Sequence, residues 1–556
     1  MNMKKTILLI ASLFFILILF AQQPGLNTYI IYFSDKGVNK NAGLNPSIYL
    51  TEKSAERRIK QKIAFDQSDI PVNEEYVQDV IKIGATILAR SRWFNTIVIE
   101  ANIDMADKIA AFPFIAQIQI LNDNDTKQHS LTISEKPFLK AESMQPWVNE
   151  IRKNNTTDSY DYGAAYNQIN QLNGQYFHNN GFSGQGMIIA VIDAGFNSAD
   201  VMTCFDSLRA NNQIKGTRDF AQPGNNVYAT TMATHGTSVL SCMGAYSDGQ
   251  MVGTAPKADY WLLRSEVAES ESILEEYFWV SAAEFADSIG ADLINSSLGY
   301  TTFDDPATNH TYADMDGKTT VVTKGAEKAA EKGILVVNSA GNSGNSTWKY
   351  IGAPADGDSV FTIGAVDATG IRASFSSVGP TYDGRIKPTV VAQGVGASIF
   401  SPGGLGSGSG TSFSSPIICG MTACLWQALP DLNNMQIIEA IKSTASQAIH
   451  PDTLMGWGIP DYQRAYILGN KPADNKLLVY PNPFKGNLTI VFPVSIYGKY
   501  SLEIFNIQGK TVYSRQLNDG SIRSLQLDDI GNIFSGIYFI KVTNGLMIYS
   551  GKIIKM

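Results

Sequence analysis

Hydrophobic and polar positions change texture twice along the chain. In the first stretch, TYIIYFSDK (Thr28 to Lys36) is a strand rich in β-branched and aromatic residues, followed by a charged helical segment around Glu52, Lys53, Glu56, Arg57 and Arg58. ATILARSRWFNTIVIEA supplies two further strands around Trp93, and DMADKIAAFPFIAQIQIL a helix running into a last strand. That order predicts an α+β module of ferredoxin-like type over residues 22–122. Residues 123–160 are polar and poorly periodic, and read as a linker and processing region.

From 161 to 470 the apolar runs are short and hardly alternate: MIIAVID (Met187 to Asp193), ILVVNSAG (Ile334 to Gly341) and SVFTIGAV (Ser359 to Val366). Strands buried on both faces read this way. With helical segments such as SAAEFADSIG and GAEKAAEKG between them, they predict an α/β domain on a doubly wound parallel sheet. Over residues 476–556 the pattern alternates again around Gly and Asn turns, as in NLTIVFP, YSLEIFNIQGKTVYS and SGIYFIKVTNG. This is the signature of a small all-β sandwich module.

Composition narrows the class. The 556 residues are 44% hydrophobic and 17% charged, enough to bury several cores. A formal net charge of −8 leaves no electrostatic footprint for nucleic acid. Cys204, Cys242, Cys419 and Cys424 are too few for a disulfide scaffold and are read as buried free thiols. Lys4 and Lys5 precede an apolar run from Thr6 to Phe20, and Ala21 offers a small residue for cleavage. Residues 1–21 therefore read as a secretory signal peptide, and the mature protein is expected to be exported.

The candidate chemistry sits at the ends of the buried runs. Asp193 closes MIIAVID, at the carboxyl edge where open α/β sheets place their ligands. His235 opens HGTSVLSCMGA, and Ser412 lies in the Gly/Ser-rich GSGTSFSSPIICGM ahead of an apolar helix. A serine hydroxyl attacks only if a base takes its proton; an imidazole suits that task, and a carboxylate on its far nitrogen fixes the tautomer. Asn342, in NSAGNSGN, offers a neutral amide donor for a developing oxyanion, with the Ser412 backbone N–H as a second.

In that order, Asp193, His235 and Ser412 resemble the subtilisin-like serine proteases, the subtilase family. GTAPKADYWLLRSE (Gly253 to Glu266), NSSLGY (Asn295 to Tyr300), IKPTVVAQG (Ile386 to Gly394) and MGWGIPD (Met455 to Asp461) extend the resemblance across the middle domain. Ala194 stands where the family usually has Ser or Thr, Ser238 where a second histidine is common, and FSSP replaces MAAP after the serine. None of these removes a group that the chemistry needs. The resemblance implies a secreted serine endopeptidase acting on protein or peptide substrates through an acyl-enzyme, with no cofactor required. It further implies that Ser297, Leu298 and Gly299 pair with the substrate backbone. Ser339, Ala340 and Gly341 would line an open pocket for an apolar or aromatic side chain. The amino-terminal module then resembles the family's propeptide, an intramolecular inhibitor and folding template. VYPNPF (Val479 to Phe484), EIFNIQGKTVY (Glu503 to Tyr513) and GIYFIKV (Gly536 to Val542) resemble the sorting domain of type IX secretion substrates, which implies that machinery as a partner and a secreted or cell-surface location.

Other features have plainer readings. His129, His178, His310 and His450 lack catalytic context. The acidic run EVAESESILEEY (Glu266 to Tyr277) reads as the solvated start of a helix rather than a lure for basic substrates. The turn at Asp314, Asp316 and Gly317, near Asp304 and Asp305, could hold a structural calcium ion through hard oxygen ligands, although acidic turns are commonly built without metal. Two rival functions remain: maturation of one dedicated partner protein, and a catalytically silent surface adhesion module.

Overall fold

The computed structural model describes residues 25–37, 48–122, 145–146, 158–229, 234–469 and 477–556, apart from 529, 531–532 and 545–546. The expected signal peptide, His129 and most of the processing region lie outside the described residues.

The amino-terminal module runs β1 (Asn27–Phe33), α1 (Glu52–Gln61), α2 (Glu74–Lys82), β2 (Thr86–Ser91), β3 (Thr96–Ala101), α3 (Ile103–Ala110) and β4 (Ile115–Asn122). Its antiparallel sheet has the order β2-β3-β1-β4, the ferredoxin-like arrangement expected from the pattern. The helices start where polar side chains cap them: Thr51 accepts from the Ser54 N–H and Asn102 from the Met105 N–H. Alternation along β1 splits the sheet's faces. Tyr29, Ile31 and Phe33 pack on the module's own helices, whereas Ile30 joins Val98 and Ala89 against Tyr277 and Phe278 of the central domain. A two-residue strand, β5 (Gln145–Pro146), follows.

The central domain contributes β6 (Ile188–Asp193), β7 (Ile214–Asp219), α4 (His235–Gly244), β8 (Asp259–Arg264), α5 (Leu274–Ser288), β9 (Leu293–Ser296), α6 (Val321–Glu331), β10 (Leu335–Ser339), β11 (Phe361–Val366) and β12 (Val390–Gln393). The hairpin β13 (Ala397–Ser401) and β14 (Gly404–Gly408) leads into α7 (Thr411–Ala428), α8 (Asn434–Lys442) and α9 (Tyr462–Gly469). Seven parallel strands lie in the order β12-β11-β10-β9-β6-β8-β7. Ile189 and Val191 enter one core with α4 and α7, while Ala190 and Ile192 enter another with α5 and α6. Both faces are covered, which is why these runs do not alternate.

The carboxyl-terminal module is antiparallel: β15 (Leu478–Tyr480), β16 (Leu488–Asn506), β17 (Thr511–Leu527), β18 (Gly536–Asn544) and β19 (Met547–Lys555). The first part of β16 pairs with β15 and the last part with β18. Leu488, Ile490, Leu502, Ile504, Ile540 and Val542 form its core.

The amino-terminal sheet docks on α5 through buried charge. Arg57, Arg58 and Arg92 converge on Asp287, with Arg58 and Arg92 at 2.7 and 2.8 Å. Arg58 also holds Asp69 at 2.9 Å, and Lys332 reaches the same carboxylate at 3.0 Å. Beside them Glu284 accepts from Ser91 Oγ and from the backbone N–H groups of Arg92 and Trp93. Removing one partner of such a cluster leaves the others charged and dry. Asp287→Ala in the full-length chain, with Ser412→Ala as background, is expected to loosen the amino-terminal module by on the order of 3 kcal/mol. An earlier thermal transition and faster hydrogen exchange in β2 and β3 would register it.

Candidate active site

Asp193 is the last residue of β6 and is fully buried. Its Oδ1 accepts from the Ala194 N–H at 2.8 Å and lies 2.7 Å from His235 Nδ1. That contact puts the ring proton on Nδ1 and leaves Nε2 as the basic nitrogen. Among the described residues Asp193 Oδ2 has no hydrogen-bond partner, and Ala194 brings no hydroxyl to it. His235 is the first residue of α4, a helix buried along its whole length. Gly236 is required for the approach: a Cβ there would stand 2.4 Å from the Gly195 carbonyl oxygen and 3.0 Å from Asp193 Cβ.

Ser412 is the second residue of α7, where first-turn N–H groups have no acceptor inside the helix. Phe413 places its ring 6.4 Å from that of His235. Pro416 has no N–H to offer the carbonyl four residues back, which is that of Ser412. Ser297 Oγ donates to that carbonyl instead, at 2.9 Å. Among the described residues the Ser412 hydroxyl has no hydrogen-bond partner.

Asn342 is clamped by its oxygen. Oδ1 accepts from both the N–H and the Oγ1 hydroxyl of Thr411, each at 2.9 Å, and Thr411 Oγ1 accepts from the Gly341 N–H at 3.2 Å. Only an amide oxygen can accept from the Thr411 N–H, so the orientation is settled and Nδ2 points the other way. Nδ2 is buried and, among the described residues, has no hydrogen-bond partner. Gly341 has φ +102 and a Cβ there would lie 3.0 Å from Ser377 Oγ, so the turn carrying Asn342 needs glycine.

Beyond β9 the chain continues as Ser297, Leu298 and Gly299 before Tyr300 pairs with Ala353. The Leu298 carbonyl is turned inward to Asn338 Nδ2 at 3.0 Å. Leu298 and Gly299 line the neighbouring cleft. That cleft is bordered by Ser339, Ala340, Gly341, Trp348 and Tyr350 and has about 30 Å³ of free space. Two aromatic side chains, Trp348 and Tyr350, border it beside the small residues.

Outside the site, His178 is a satisfied core histidine, bonded to Tyr162 Oη at 2.8 Å and the Thr254 carbonyl at 3.0 Å. Burial pulls it down to about 4. His310 pairs with Glu276. All four cysteines are free and buried, as expected, and burial pushes the Cys204 thiol up to about 12. The acidic run differs from its expectation, because Glu266, Glu271, Glu275 and Glu276 are buried rather than solvated. Among the described residues, the carboxylates grouped within 4.8 Å are those of Glu266, Glu271 and Glu275. Within the acidic turn the carboxylates are engaged in local caps. Asp314 caps Thr311, Asp316 caps Lys318 and Thr319, Asp304 holds the Glu271 N–H and Asp305 the Ala307 N–H.

Comparison with known proteins identifies the three modules. The subtilase family model matches residues 184–458, a peptidase S8 propeptide domain of Bacteroidota matches 28–136, and a secretion system C-terminal sorting domain matches 478–556. Subtilisin NAT of Bacillus subtilis subsp. natto is 30% identical over 319 residues, covering 57% of this chain and 74% of that protein. The subtilisin of Bacillus pumilus is 30% identical over 282 residues, covering 50% and 90%. The crystal structure of MycP1 with its N-terminal propeptide removed is 24% identical, with a TM-score of 0.41, covering 55% of this chain and 96% of that one. The chain belongs to the subtilase family: it is a subtilisin-like serine peptidase that carries an S8 propeptide domain and a type IX secretion sorting domain, and it is secreted or held at the cell surface.

Proposed function

We propose that the protein is a secreted endopeptidase acting through an acyl-enzyme on Ser412. The observation that carries this reading is the 2.7 Å contact between Asp193 Oδ1 and His235 Nδ1, at a strand end beside the helix that bears Ser412. His235 Nε2 takes the hydroxyl proton during attack and returns it to the leaving amine, while Asp193 holds the tautomer and stabilises the imidazolium. The Ser–His contact belongs to the substrate-bound state, since catalytic hydrogen bonds often tighten only there. Asn342 Nδ2, already desolvated and fixed in direction by Thr411, meets the oxyanion together with the Ser412 N–H. Reorganisation is thereby avoided at the moment of reaction. Ser297 and Gly299 hold the substrate strand, and Ser339, Ala340 and Gly341 contact the side chain before the cut. The reaction takes no cofactor.

In this reading residues 1–21 are the signal peptide, 22–122 the inhibiting propeptide, 123–160 the processing region, 161–470 the catalytic domain and 476–556 the segment read by the type IX machinery. The docked charge cluster at Asp287 supports the inhibitory role, because it holds the amino-terminal sheet on the domain that bears the site.

Ser412→Ala is expected to abolish casein cleavage and fluorophosphonate labelling while leaving the circular dichroism spectrum unchanged; cleavage at the original rate would refute the assignment. Asn342→Ala should lower kcat by about 10²–10³, the size of loss measured when a subtilisin loses its amide donor. Thr411→Val keeps the backbone N–H to Asn342 but removes the hydroxyl. A smaller fall in kcat, on the order of tenfold, with KM unchanged is expected, because the amide is needed more by the transition state than by the ground state.

A further inference from the structure

β9 is buried along its whole length, yet its third residue is Asn295. Side chains alternate across a sheet, and Leu293 lies in the core shared with α4 and α7, so Asn295 faces α7 as well. Its partners in register, Val191 and Val337, belong to the same core. A primary amide set among valines is costly unless both of its ends are bonded. Here both are: Oδ1 accepts from Ser415 Oγ at 3.1 Å, and Nδ2 donates to Ser297 Oγ at 3.4 Å. The single hydroxyl proton of Ser297 goes to the Ser412 carbonyl. Toward Asn295 that oxygen can only accept, and the amide cannot be turned round.

Ser412 and Ser415 lie about one turn apart on α7. Asn295 spans that turn, with one end on Ser415 and the other reaching the Ser412 carbonyl through Ser297. No helical N–H competes for this carbonyl, because the residue four ahead is Pro416. On the other flank, Thr411 is tied to Asn342. We propose that Asn295 is a positioning residue of the peptidase: acting through Ser297, it fixes the peptide unit after Ser412 and so aims the Ser412 hydroxyl and N–H at one substrate carbonyl. The proposal rests on the peptidase reading above. A reacting group displaced by about 1 Å loses about 10² in rate, so a chain of bonds that fixes the backbone of the nucleophile acts on the chemical step. Asn295 is fully buried and reaches Ser412 only through other side chains, so its removal should leave substrate affinity as it was.

In protein expressed full length and assayed on a peptide substrate, Asn295→Leu, of similar volume, is expected to lower kcat about tenfold, the size of one hydrogen bond, with KM within about twofold of the wild type. Ser297→Ala should do the same. The double variant should be no slower than either single one, because both changes break one chain. Losses that multiply, or wild-type kcat in Asn295→Leu, would overturn the proposal. So would a rise in KM that accounts for the loss, which a general loosening of the fold produces. Should circular dichroism show Asn295→Leu unfolded, Asn295→Ala, which adds no bulk, is read by the same criteria, and failure of both to fold overturns the proposal too. Fluorophosphonate labelling of the wild type separates the two levels. A wild type that labels, beside variants that break this pattern, defeats this inference alone, and a wild type that does not label defeats the peptidase reading with it.

Discussion

In a parallel sheet covered on both faces, the strands β9, β10, β11 and β12 keep every side chain from water. Polar chemistry can then surface only where strands end, and the site follows from that constraint. β6 ends in Asp193, β9 runs out into Ser297 and Gly299, and β10 ends before Asn342. Ser412 comes from outside the sheet, on a helix whose amino terminus is brought to the same edge. Helix α4 completes the group because Gly236 lets it close on Asp193.

The candidate site is stiffened by hydrogen bonds that lie behind the side chains of Ser412 and Asn342. Thr411 settles which way Asn342 faces, and Ser297 satisfies a carbonyl that Pro416 cannot. Both arrangements spend a backbone irregularity on orientation. A proline six residues into a helix would ordinarily weaken it; here the orphaned carbonyl becomes the anchor by which Ser297 is tied to the residue at the start of α7.

Much of this was legible in the sequence, and the rest was hidden for identifiable reasons. The flat hydrophobic runs gave away the buried strands, and the order of Asp193, His235 and Ser412 pointed to the family before any geometry. Thr411 and the inward carbonyl of Leu298 carry no pattern of their own, because their roles exist only once distant loops meet. Trp348 and Tyr350 lie several residues beyond the small ones and border the same cleft, a neighbourhood that linear spacing does not show. The acidic run was misjudged for a related reason: periodicity reports which residues are polar, and not that a neighbouring loop will cover them.

The charge cluster on α5 has a consequence for kinship. Three guanidinium groups of the amino-terminal module are committed to one carboxylate of the partner surface, and a lysine of that surface returns to the module's own acid. A chaperoning module borrowed from a relative without Arg57, Arg58 and Arg92 would strand Asp287 in a dry seam. Module and enzyme are thus matched like a cut key to its lock, and a change on either side must be answered on the other.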